Sequence, residues 1–304
     1  MSNQTNKKPQ NRANELFSEI VAIFVAQLEN GSNPFNFGRL APINANTKKG
    51  YTGLNKLILS YYAAQKQHQS NKWLTMKQIG ALKGKVTKGE KATPVFFFQD
   101  SYAVKAIKDG KETIIWSRKK TIEEAKAEVL AKKGVTSVIF ASKKMVLKHY
   151  HVFNYEQTSL VDDDIIPAPE QPMAIHEAVS HNIRLENGKT IFYREEDDVI
   201  FEANGNFEAE AFFKVVIEAT KHASRLEREL EYPEEELVKL IGSSYLMGAC
   251  SLEQNKIAPD IATIFVNKLK ASPNSLWKYA RYADQAYGLV SSWIDELSSK
   301  KEVA

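Results

Sequence analysis

Between residues 44 and 91, lysines, aromatic rings and amide side chains alternate in a way that suits a single nucleic-acid strand. Such a strand offers phosphates to neutralise and base faces to stack on, so cations and exposed rings serve together. Lys48, Lys49, Lys56, Lys77, Lys83, Lys85, Lys88 and Lys91 supply charge, and Tyr51, Tyr61, Tyr62 and Trp73 supply rings. Asn44, Asn55, Thr75 and Gln78 have groups that donate to phosphate or read a base edge. Gly50, Gly53, Gly84 and Gly89 would bring backbone N–H groups close to a phosphate. Tyr51, in a glycine-flanked loop, is the favoured stacking ring, whereas Trp73 beside Leu74 and the Phe96-Phe97-Phe98 run read as core. Lys85, Lys88 and Lys91 fall in a turn ahead of a strand, where phosphate contact and a solvated surface are equal alternatives.

Other arrangements fail on geometry. Gly80 and Gly84 enclose three residues where a phosphate-binding loop needs four, and the alternative pair Gly84 and Gly89 is followed by Glu90 instead of lysine. His176 and His181 are five apart, about 140° around a helix at 100° per residue, which is poorly placed for one metal ion. His149 and His151 alternate on a strand and share a face, but no third ligand is near them in sequence.

The elements that must position these residues divide the chain in two. Residues 1–160 carry 26 Lys and Arg against 11 Asp and Glu, a balance of +15, and residues 161–304 carry 15 against 26, a balance of −11. A basic half on a chain of net charge +4 points to a polyanion, since neutralised phosphates release counterions; a solvated lysine-rich surface is the alternative. Residues 159–173, with an acidic triplet and three prolines, read as the joint. Before it, helices are expected at Arg12–Leu28, with Asn11 as cap, at Leu54–Gln67, Thr75–Leu82 and Glu123–Lys133, and strands at Thr93–Gln99, Ile114–Ser117 and His149–Tyr155. After it come helices at Ala174–Glu186, Glu208–Leu230, Pro233–Cys250, Pro259–Ser272 and Leu276–Ser299, with short strands at Thr190–Tyr193 and Asp198–Phe201. Residues 1–11 and 298–304 read as polar tails. The fold class expected is α+β: a mixed N-terminal domain, then a mostly helical domain with a small sheet. A composition of 43 % hydrophobic and 26 % charged residues excludes a wholly disordered chain. The single Cys250 excludes an internal disulfide and, with no secretion signal, points to the cytoplasm. The longest apolar stretch, Ile20–Leu28, is about half of what a membrane span of roughly 20 residues needs, so no membrane partner is expected.

Five ordered blocks carry a family resemblance: Pro42-Ile43-Asn44; Thr47 to Asn55; Trp73 to Gln78; Val86 to Lys91; and Val152-Phe153-Asn154-Tyr155-Glu156-Gln157. In order and spacing they resemble the N-terminal domain of ArdC-type antirestriction proteins, shared with TraC-like conjugation primases and phage polyvalent proteins. The resemblance implies a single-stranded DNA-binding domain over residues 12–158, with residues 100–146 as a longer insertion than usual. In such proteins the second domain, here 174–299, is similar to a zincin metallopeptidase with H-E-x-x-H, T-G-H, S-R-L and Y-x-x-E-E-L-V segments.

Here that resemblance is partial. Thr220 to Leu226 and Tyr232 to Val238 match the downstream segments, but Lys214, Val215 and Glu218 stand where first ligand, general base and second ligand belong. Lys214, Glu218 and His222 are four apart on one helical face, so the expectation is that the Lys214 ammonium replaces the cation and pairs with Glu218, Glu235 or Glu236. Val215 takes no proton, and a catalytic zinc needs three ligands and a base. The chain is therefore expected to be a pseudoenzyme without cofactor that binds single-stranded DNA of a mobile element. Two alternatives stay open. One is a zinc peptidase with a rearranged Glu218, His222 and Glu235 site; the other is an adaptor that docks a conjugation, replication or host-defence protein.

Overall fold

A computed structural model describes residues 9–38, 41–161, 168–203, 207–254 and 256–303. The chain runs α1 (Pro9–Glu29), β1 (Ile43–Asn44), α2 (Gly53–Lys66), β2 (Lys72–Leu74), α3 (Met76–Ala81), β3 (Thr93–Lys108), β4 (Lys111–Ser117), α4 (Ile122–Leu130) and β5 (Val135–Asn154). It continues through α5 (Pro172–Ser180), β6 (Arg184–Gly188), β7 (Phe192–Arg194), β8 (Val199–Ala203), α6 (Ala209–Ala219), α7 (Tyr232–Ala249), α8 (Pro259–Ala271) and α9 (Ser275–Val303). The fold is α+β. Among the described residues no helix is long and apolar enough to cross a membrane.

Several expected boundaries move, each for a physical reason. Helix α1 begins at Pro9, whose fixed φ suits a first turn, so Asn11 lies inside it and does not cap it. The C-terminal residues expected as a tail continue α9 to Val303. Helix α5 stops at Ser180, where Ser180 Oγ and His181 Nδ1 donate to the Glu177 carbonyl and Asn182 Nδ2 to that of Ala178. Helix α6 stops at Ala219 instead of running to residue 230, because side chains from the next loop take its last carbonyls. Arg225 Nε donates to Ala219 O at 3.0 Å and Arg228 Nη2 to Ile217 O at 3.1 Å. Strand β5 begins far ahead of the expected His149, since most of it is exposed and shows no two-residue alternation. Of the expected joint, residues 162–167 lie outside the described residues, and α5 starts at Pro172 within it.

Two compact units result, and they do not follow the cut by composition. Of the described residues, one comprises 9–18 and 94–150, and the other those of 19–93 and 151–303. In the first, hydrogen bonding orders the strands β5-β3-β4, and Tyr102, Val104 and Ala106 pack on Ala125 and Val129 of α4. In the second, β1 pairs parallel with β2, and β2 antiparallel with the end of β5, Trp73 opposite Asn154. A second sheet has the order β6-β8-β7. Helix α7 packs between α6 and α9. Gly242 permits the α6 approach, because a Cβ there would lie 2.9 Å from Ile217 Cγ2.

Residues from both halves of the sequence therefore share one core in the second unit. The join is polar: Asp284 of α9 accepts from Gly53 N at 2.8 Å, at the start of α2, and from Lys56 Nζ at 2.9 Å. Carboxylate at a helix N-terminus complements the unpaired amides there. Lys56 Nζ also lies 4.3 and 3.8 Å from the ring centres of Tyr245 and Tyr287. Burial pulls the Lys56 ammonium below the ordinary lysine value, and Asp284 opposes this in part. Lys56→Ala leaves a carboxylate facing the interior and is expected to lower unfolding stability by about 3 kcal/mol, read by urea titration. Asp284→Asn combined with it should add little, and fully additive losses would show the two groups to be uncoupled.

Candidate nucleic-acid interface and the polar cluster of residues 193–239

The five sequence blocks meet in the second unit around a small core of Leu74, Ile79 and Phe153, joined by Ala45, Val86, Ala92, Tyr155 and Leu160. Three segments lie over it: the 45–52 loop, α3, and the 82–92 segment. Thr75 caps α3 in a reciprocal box with Gln78. Gln78 Nε2 donates to Asn44 Oδ1 at 3.2 Å, and Asn44 Nδ2 reaches Gln78 Oε1 at 3.3 Å and the Tyr51 hydroxyl at 3.4 Å. Asn44 Oδ1 also accepts from the Asn46 and Thr47 amides. The 82–92 segment is held by Gln157, whose Nε2 donates to Glu90 Oε2 at 2.7 Å and to Lys91 O at 3.1 Å, and by Lys85 N donating to Ser159 Oγ.

This packing sorts the predicted residues. Lys48, Lys49, Lys77, Lys83, Lys85, Lys88 and Lys91 are exposed on the three segments, and Tyr51 is half-buried. Asn44, Thr75 and Gln78 spend their polar groups largely on one another and shape the loop. Asn55 is half-buried on α2. Lys56 is a correction, bound to Asp284, and Trp73, 1 % exposed, is the core residue that its place beside Leu74 suggests and not a stacking ring. Tyr61 packs on Phe24 inside the molecule, with Tyr62 against it. The Gly53 amide is taken by Asp284 and that of Gly84 by Ile79 O, so neither is open to a phosphate. Residues missed in sequence are those that hold the loops. Asn154 Nδ2 donates to Ser70 O, and Glu156 accepts from the Gln69 and Ser70 amides at 2.7 and 2.6 Å. Their only signal was membership of the last sequence block, because each partner is more than 80 residues away.

The expected metal positions come apart. Lys214 pairs with Glu210 at 2.6 Å, not with Glu218. Glu218 is instead met by Lys239 of α7 at 2.8 Å, and Lys239 also binds Glu236 at 2.7 Å. Burial works against the Lys239 charge, but Glu218 and Glu236 outweigh it and hold the ammonium above its usual pKa. Val215 is buried. His222 lies beyond the end of α6, its Nδ1 2.7 Å from Ser224 Oγ and 3.8 Å from Asp198 Oδ2. Glu235 is clasped by Arg228, whose Nε and Nη2 donate at 2.9 and 2.5 Å, and both side chains are buried. His176 sits 2.8 Å from Glu202, and His181 bonds its own helix, so that pair shares no site. Among the described residues no group of three His, Cys, Asp or Glu is arranged to hold a metal ion. Of the expected donors, Glu218 and Glu235 are held in ion pairs and His222 is bound to Ser224.

Comparison with known proteins follows from this geometry. Residues 11–153 match the model of the N-terminal domain of anti-restriction factor ArdC. Over those residues the chain is similar to the ArdC-type family. In fold it is similar to the metal-free crystal structure of antirestriction ArdC protein from R388 plasmid, with TM-score 0.64 and 20 % identity over 92 % of this chain and 98 % of that one. The Mn(II)-bound structure of ArdC from the same plasmid gives TM-score 0.66 at 20 % identity, over 91 % and 97 %. Two Escherichia coli proteins named DNA primase TraC are 25 % and 27 % identical over 98 % and 71 % of this chain. The chain spans about a fifth of the length of these curated relatives, at 19 % and 20 %.

Two outcomes follow for the polar cluster. Lys239→Ala leaves Glu218 and Glu236 without their shared cation and is expected to cost about 2 kcal/mol in chemical denaturation. Bonds from Arg225, one of them 2.9 Å from Nη1, hold the Asp198 carboxyl below its ordinary range, against some burial and with help from Tyr193. A depressed carboxyl stabilises the fold above its unfolded pKa of about 3.9, and that contribution is lost as pH falls through the lower folded value. Thermal melting from pH 5 to pH 2 should therefore fall less steeply for Asp198→Asn than for the unaltered chain.

Proposed function

We propose that the chain is a single-stranded DNA-binding protein of a mobile element, acting in the cytoplasm by occupying a strand and without bond chemistry. The observation that carries this is the set of seven exposed lysines on three segments that Asn44, Gln78 and Gln157 tie over one small core. Cations spread over a braced, irregular surface track a flexible phosphate backbone, and half-buried Tyr51 offers a ring edge among them. The family description, an anti-restriction factor, adds a role against restriction, and the relatives named DNA primase TraC add an association with DNA. Helix α6 and its surroundings are read as a zincin-like scaffold in which Lys239 and Arg228 neutralise the carboxylates that would face a metal, so neither zinc nor another cofactor is assigned. A peptidase built on Glu218, His222 and Glu235 finds no support, because Lys239 and Arg228 occupy both carboxylates. The −11 balance of residues 161–304 favours a second role, docking of a basic conjugation, replication or host-defence protein.

Fluorescence anisotropy with labelled single-stranded and duplex oligonucleotides at several salt concentrations tests this. Tighter binding of the single strand, with log affinity falling steeply against log salt, is expected. At a slope of about −0.7 per phosphate contact on a single strand, Lys48→Ala with Lys49→Ala should reduce the slope by about 1.4. No binding of either nucleic acid at low salt would sink the reading.

A further inference from the structure

The sheet of residues 94–150 has one face with no part in the interface above. Tyr102, Val104 and Ala106, with their cross-strand partners Ser117, Ile115 and Thr113, turn toward α4. Alternation along the strands then puts Trp116 and Ile114, with their partners Ala103 and Lys105, on the other face. There Trp116 is 44 % exposed and Ile114 57 %. Ile139 of β5, between Val138 and Phe140 of the α4 core, points the same way and is 65 % exposed.

That face is cationic as well as apolar. Lys144 Nζ lies 4.2 Å over the Trp116 ring. Lys105 stands opposite Ile114, its Nζ 2.8 Å from Glu112. Arg118, two residues beyond Trp116, is near enough to Lys148 to join burial in holding that ammonium below the ordinary lysine value. Residues 94–150 contain twelve Lys and Arg against six Asp and Glu. Three of those acids, Glu123, Glu124 and Glu128, are on α4, which covers the opposite face, and Asp100 is bound to Lys143 at 2.9 Å.

We propose that this open face is a second stacking platform for a single nucleic-acid strand, with Trp116 receiving a base and Lys144 and Lys105 meeting the flanking phosphates. A base that takes the indole face releases Lys144 to the adjoining phosphate, exchanging one cation–π contact for stacking plus charge neutralisation. Ile114 and Ile139 extend the flat apolar ground beside the ring. Charge favours a polyanion over a second copy of this chain, because pairing two such faces sets lysine against lysine. The inference rests on the single-strand reading above but concerns different residues, so the two fail separately.

The test uses the full chain and a labelled oligothymidylate of about 30 nucleotides, long enough to engage more than one surface. Trp116→Ala is expected to weaken binding about ten-fold, the loss of one base stack, and Lys144→Ala to weaken it by less. Trp116→Phe should bind nearly as the unaltered chain does. Indole fluorescence should be quenched by the oligonucleotide in the unaltered chain, and most of that quenching should vanish in Trp116→Phe. Unchanged melting curves would confirm that the exposed substitutions leave the fold intact. If Trp116→Ala binds as tightly as the unaltered chain while Lys48→Ala with Lys49→Ala binds weakly, the second platform is overturned and the first interface stands. If the unaltered chain does not bind the strand, both are overturned. A fall from dimer to monomer in sedimentation velocity for Trp116→Ala, with DNA binding unchanged, would assign the face to a second copy and overturn the proposal as well.

Discussion

The contact between Lys56 and Asp284 joins two parts of the chain that composition separates. Asp284 meets the first amide of α2 and the Lys56 ammonium together, and the rings of Tyr245 and Tyr287 lie against the same ammonium. A cation that is 4 % exposed must be paired, since an isolated charge in the interior costs several kcal/mol. Helix α2 thereby has to lie against α9, and the segments that carry the exposed lysines flank α2 on both sides, the 45–52 loop before it and α3 with the 82–92 segment after it. A lysine that sequence reasoning assigns to phosphate is thus spent on architecture.

A similar exchange of role runs through the polar cluster near α6. There the acids Glu218 and Glu235 find their positive charge in lysine and arginine side chains. Glu218 is matched by Lys239 and Glu235 by Arg228, with the Arg228 guanidinium also donating to the end of α6. The ammonium and guanidinium groups thereby neutralise two acids, Glu235 buried and Glu218 partly exposed. The Arg228 fork suits this better than lysine would, because it binds both oxygens of Glu235 while a further donor reaches the helix carbonyl.

The lysine-bearing loops are rigid for a different reason. Their amide side chains bind each other instead of solvent: Asn44 with Gln78, Gln157 with Glu90 and Lys91, Asn154 with Ser70. Residues that looked like base readers hold the backbone in place, and the lysines beside them are exposed.

The sequence by itself determined the α+β class, the resemblance carried by its ordered blocks, and the helices that begin beside Pro233 and at Pro259, because local propensity and periodicity act within a few residues. It also determined the charge asymmetry. Only the tertiary structure decided which lysines are free and which cation meets which acid. Lys56 and Asp284 are 228 residues apart, and Lys239 answers Glu218 from the next helix where spacing favoured Lys214. Only the tertiary structure ended α6 at Ala219, since the arginines that take its carbonyls arrive from a loop whose composition is itself helix-forming. The exposed stretch of β5 lacks alternation and is set by its neighbour β3, so no local pattern announces it. Pairings of distant side chains depend on packing, and packing is not written in any window of neighbouring residues.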